Sequence, residues 1–128
     1  MLPRFGYPGL GNDCNNLKGC KLTKIITSPC KAWPGEIELF DPLSFPMVGE
    51  WEEAVYQARG KNAIASIQVA LLPGILPCVK EWRLENFPAH PTLATFPAKP
   101  HQDRMALLGL LVNTITELYQ DASELPND

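Results

Sequence analysis

Trp33-Pro34-Gly35-Glu36-Ile37-Glu38-Leu39-Phe40-Asp41-Pro42-Leu43-Ser44-Phe45-Pro46 is the stretch that decides the fold class, because a strand pattern gives way within it to a helix start. Glu36 to Phe40 alternates polar and apolar residues, the period of a half-buried strand. Asp41 to Pro46 then combines prolines with capping residues, the signature of a helix N-terminus. Upstream, Leu22-Thr23-Lys24-Ile25-Ile26-Thr27 is β-branched and reads as a partner strand. Ser28-Pro29 and Trp33-Pro34-Gly35 punctuate the connection, so a hairpin over 21–41 is expected. A lone hairpin is marginal in water and must pack on helices or pair with another chain.

Downstream, Val48, Trp51, Val55 and Ala58 recur at helical spacing, with Glu50, Glu52, Glu53 and Gln57 on the other side. The early acids and the closing Arg59 and Lys61 suit the helix dipole, and Gly60 supplies a C-cap. A second helix is expected from about Asn62 to Leu72. Ile64, Ile67 and Leu71 share one of its faces, and alanines make it apolar around much of its circumference, which predicts a central position. Pro73-Gly74 breaks or kinks it. Ile75 to Asn86 reads as a further short helix carrying Val79, Trp82 and Arg83. Four prolines make 87–100 an extended connection. A last helix runs from Pro100 or His101 to about Ala122, with Met105, Leu108, Val112, Ile115 and Tyr119 in one stripe. Leu107, Leu110, Leu111 and Leu118 widen that stripe beyond what one core-facing side needs. Residues 1–20, rich in Gly, Pro and Asn, read as a loop or arm. The expectation is an α+β fold in one domain over 1–128: arm (1–20), β-hairpin (21–41), and a bundle of three to four α-helices (44–122).

A chain of 128 residues, 45% hydrophobic and 20% charged, can bury a core without a disulfide or metal staple. Its net charge of −3, with no basic cluster denser than Lys18, Lys21 and Lys24, argues against nucleic acid and acidic membrane surfaces as partners. The start lacks a signal-peptide stretch, and the longest apolar run, Met105 to Val112, falls far short of the about 20 residues that span a bilayer. A cytoplasmic protein with reduced thiols is expected.

Chemistry-bearing arrangements are weak. Cys14, Cys20 and Cys30, with Cys78, His90 or His101 as a fourth ligand, have the residue types for zinc. Their gaps are irregular, whereas structural zinc sites use close pairs, so ordinary thiols and no metal are expected. Cys78 follows Pro77 in an apolar stretch and reads as a packed thiol. His90 and His101 flank the proline-rich connection without a partner motif. Glu36 and Glu38 alternate with Ile37 and Leu39, a solvated strand face rather than an acid–base pair. Gly6-Tyr7-Pro8-Gly9-Leu10-Gly11 has neither the spacing nor the strand–loop–helix setting of a phosphate cradle. Trp33, Trp51 and Trp82 are expected as core or hairpin anchors. No nucleophile, base and orienting group can be assembled together, so no cofactor and no enzymatic activity are expected.

The segment Trp33 to Pro46 followed by the Trp51 helix resembles small tail assembly proteins of siphophages. In that family a strand leads into a D-P-L-x-x-P turn and then an acidic, tryptophan-bearing helix. The ending Leu118-Tyr119 to Glu124-Leu125-Pro126-Asn127 is similar to their helix-plus-"PN" tails. The resemblance implies a phage tail assembly chaperone of the host cytoplasm that coats the tape measure protein before the tail tube polymerises. Leu107, Leu110, Leu111 and Leu118 are then the candidate residues for partner binding or self-association. The alternatives are a structural virion component, such as a tail or head-completion protein, and a zinc-stabilised adaptor.

Overall fold

The computed structural model describes residues 23–123. The arm expected over 1–20, and with it Cys14 and Cys20, lies outside the described residues. Three strands and three α-helices follow in the order β1 (Thr23–Thr27), β2 (Gly35–Phe40), α1 (Phe45–Ala58), α2 (Ile64–Ile75), β3 (Val79–Leu84) and α3 (His101–Ser123), with one 3₁₀ turn (Leu76–Cys78) leading into β3. The expected α+β architecture and hairpin are present, and the hairpin is completed by a third strand.

The sheet order is β1-β2-β3, antiparallel throughout. Ile37 and Leu39 of β2 are fully buried, while Glu36 and Glu38 alternate with them on the other face. Gly35 opens β2 at φ +135°, paired with Leu84. A Cβ there would stand 2.1 Å from the carbonyl oxygen of Arg83, so the close approach of β2 to β3 requires glycine.

β3 overturns the short helix expected over Ile75–Asn86, and 44–122 is therefore not a purely helical segment. The pairing explains the misreading. Leu39 faces Val79 but Glu38 faces Glu81, so Lys80 is an extra residue on β3. Such a bulge shifts the alternation by one. Val79, Trp82 and Leu84 all point inward, at spacings of three and two, which removes the period-two signal and leaves an interval that looks helical.

α1 starts where the sequence signalled: Ser44 caps it, its hydroxyl accepting from the Met47 N–H, with Pro46 in the first turn. Because it begins at Phe45, Glu50, Glu52 and Glu53 fall in mid-helix rather than in the first turn, and Arg59 is the cap residue. Gly60 follows at φ +83°, the conformation glycine tolerates. Trp51 and Ala54 are its buried residues, and Val55 lies outward instead. α2 continues through Pro73 to Ile75, longer than expected. Gly74 explains the tight α1–α2 contact: a Cβ there would lie 2.7 Å from the Ala54 Cβ.

The helices cover the inner face of the sheet, and one core joins Trp33, Ile37, Leu39, Trp51, Ile75 and the inward face of α3. At the start of α3, Asp103 fastens the β1–β2 loop: its carboxylate accepts from the Ala32 N–H at 3.0 Å and its carbonyl from the Cys30 thiol at 3.0 Å. No helix among the described residues is long and apolar enough to cross a membrane.

Candidate functional site

α3 does not present the side chains expected to bind a partner. Leu107 and Leu111 are fully buried and Leu118 is 4% exposed; only Leu110 is half-exposed. Leu107, Leu111 and Leu118 therefore lie inside this fold, while Leu110 stays partly accessible. Most of the wide apolar stripe is consumed inside the fold, because α3 packs on α2, meets α1 at the Tyr119–Glu52 hydrogen bond and holds the β1–β2 loop through Asp103.

Exposed apolar side chains lie on β1 (Ile25), on α1 (Phe45, Val55 and Tyr56), and on α2 and the proline-rich connection, where they border a cleft. Ile64, Val69 and Leu93 are 58%, 62% and 59% exposed. α2 was expected to be central; its inner face (Leu71, Leu72, Ile75) is buried against α1 and the core, and its outer face meets solvent. Between that face, the connection and the first turns of α3 lies an open cleft of about 400 Å³. Val69 and Pro73 form one wall, Leu93 and Phe96 another, and Leu108 the floor, with Arg104 at the side. A volume in this range suits a small ligand or a few side chains of a peptide.

The wall formed by the connection is held by aromatic stacking. Phe87 packs on Trp33 (5.2 Å between centroids) and on Trp82 (5.3 Å), and Phe96 meets Trp82 at 5.9 Å and Phe87 at 5.5 Å. Such pairs add about 0.5–1.5 kcal/mol each beyond their buried area. The tip is closed by a turn in which the Thr92 and Thr95 backbone N–H groups each donate to the other's hydroxyl and the Phe96 N–H donates to the Thr92 carbonyl. The connection holds neither helix nor strand, and rather than running extended throughout, it turns at Thr92–Phe96 and is fastened to the sheet's aromatic residues. Trp33 and Trp51 are core residues, while Trp82 is half-buried within this cluster.

Two polar groups stand at the cleft. Gln68, 7% exposed, donates through Nε2 to the Met105 carbonyl at 3.2 Å, whereas its Oε1 is buried and has no partner. Arg104 contacts His101 Nδ1 through Nη2 at 3.1 Å and has no carboxylate within salt-bridge distance among the described residues. Sequence reasoning missed both, since a glutamine on an apolar helix and a single arginine carry no motif.

The remaining candidates are placed as follows. Cys30 and Cys78 are buried free thiols. Burial, with the Asp103 carboxylate second, raises the Cys30 thiol, and burial alone pushes Cys78 up to about 12. The Cys78 thiol donates to the Gly74 carbonyl, a packed group as expected. His90 and His101 are exposed, and no group of three His, Cys, Asp or Glu among the described residues could hold a metal. Glu36 and Glu38 share the outer sheet face with Glu81, all three on Arg83: Glu38 at 2.7 Å, Glu81 at 2.9 Å and Glu36 at 3.7 Å. The Arg83 guanidinium holds the Glu38 carboxyl below its ordinary range. This is an ion-pair cluster on an open surface.

In comparisons with protein-family models, curated proteins and solved structures, the chain matches none of them.

Proposed function

We propose that the protein is a non-enzymatic protein-binding factor, and specifically a tail assembly chaperone of the siphophage kind that holds the tape measure protein before the tail tube forms. The observation that supports this reading is the outer face of α2, where Val69 and Leu93 stand more than half exposed on either side of an apolar cleft. Clustered exposed apolar side chains of this kind mark interaction surfaces. The resemblance of Trp33–Pro46 and of the chain's ending to tail assembly proteins favours the tape measure protein as partner, and the exposed apolar side chains beside the cleft favour α2 and the connection as its seat.

Co-expression with a siphophage tape measure protein tests the reading. The two proteins should co-purify, and Val69→Glu together with Leu93→Glu should weaken capture at least tenfold while leaving the thermal melt unchanged. Capture unaffected by both substitutions overturns the assigned surface. Retention of the protein in purified particles, rather than its departure before completion, overturns the chaperone role in favour of a structural tail component.

A further inference from the structure

The cleft beside α2 presents two demands. Its walls call for an apolar side chain. Arg104 calls for a carboxylate.

Glu124-Leu125-Pro126-Asn127-Asp128 combines both within five residues: Leu125 and Pro126 are apolar, and Glu124 and Asp128 are acids. These residues lie outside the described part of the chain, but their tether is defined. Arg104 and Ser123 belong to one helix and are separated by about 28 Å at 1.5 Å per residue. Leu125 can reach back only about 7 Å and Asp128 about 17 Å, even fully extended. A chain therefore cannot fill its own cleft with this segment. Residues 1–22 are long enough to reach it, but their one acid, Asp13, is flanked by Asn12 and Cys14, and Arg4, Lys18 and Lys21 oppose Arg104 in sign.

We propose that the 124–128 segment of one copy docks in the α2–α3 cleft of a second copy. Leu125 sits between Val69, Leu93 and Phe96, and Glu124 or Asp128 pairs with Arg104. Donor segment and acceptor cleft lie toward opposite ends of α3, so the contact either closes reciprocally between two antiparallel copies or propagates head-to-tail into a ring or an open row. Self-association is read without any other protein present, so its failure leaves the chaperone proposal standing, and the failure of that proposal leaves this one standing.

Sedimentation velocity over a range of concentrations, with matched thermal melts, provides the test. The full chain should form species larger than a monomer as concentration rises. A chain cut after Ser123, the full-length Leu125→Asp variant and the full-length Val69→Glu variant should each remain monomeric with an unchanged fold. An equimolar mixture of Leu125→Asp, which keeps its cleft, with Val69→Glu, which keeps its segment, should give a 1:1 dimer that does not grow further. A full chain monomeric at all concentrations, variants that associate like the parent, or a mixture that stays monomeric overturns the proposal. So does association that is lost on removing residues 1–22 but kept on cutting after Ser123, which would assign the cleft to the arm.

Discussion

α2 and α3 are both apolar over much of their surface, yet they end in opposite circumstances. α3 buries Leu107, Leu108, Leu111, Ile115 and Leu118, each 4% exposed or less. α2 buries Leu71, Leu72 and Ile75 but leaves Ile64 and Val69 more than half exposed. What separates them is neighbours. α3 packs on α2, meets α1 through Tyr119 and Glu52 and carries the β1–β2 loop on Asp103, whereas α2 has α1 and α3 beside it and solvent over its outer face. An apolar circumference therefore marks a helix that can be covered from several sides; the packing decides which sides are.

The comparison can be broken most directly by truncating one leucine on α3. Leu111→Ala should cost ~2–5 kcal/mol by denaturant unfolding, the range for a fully buried leucine leaving a cavity. A loss below about 1 kcal/mol would mean that α3 is not the core helix described here.

On the inner side of α2, Gly74→Ala places a methyl 2.7 Å from the Ala54 Cβ and 3.1 Å from the Glu50 carbonyl oxygen. Overpacking of this kind should cost ~1–3 kcal/mol, with Ala54→Gly in the same chain recovering part of it. Absence of any recovery would show that the α1–α2 contact does not limit that position.

The 3₁₀ turn beyond α2 offers a pH readout. Burial raises the Cys78 thiol to about 12 from an ordinary 9.0. With the folded value above the unfolded one, the contribution is fully present below pH 9 and is lost as pH rises from 9 toward 12, where the unfolded chain ionises first. The parent should lose stability over that window more steeply than Cys78→Val; identical slopes would contradict the burial.

The smallest effect belongs to the outer face. Val69→Ser should change stability by no more than about 0.5 kcal/mol while weakening both partner capture and self-association. A loss comparable with that of Leu111→Ala would place Val69 in the core and remove the distinction between the two helices.

Much of the fold was legible locally. The β2 alternation, the Ser44 cap, the Gly60 stop and the span of α3 depend on residues close in sequence, where capping and periodicity act. β3 was not legible, because Lys80 interrupts the alternation and only the pairing with β2 reveals the bulge. The exposed site was legible only in kind: an excess of apolar helical surface was evident, but Leu107, Leu111 and Leu118 could not be told from Val69 by composition.

The amino-acid sequence by itself determined the types of every described element except β3, the turn that leads from strand to helix, and the presence of more apolar helix surface than one small core requires. Tertiary structure alone decided where that surplus emerges, how β3 joins the sheet, and that Gln68, Arg104 and Leu93 share one cleft. Propensity and capping act over a few neighbouring residues, whereas burial depends on which distant segments compete for the same surface.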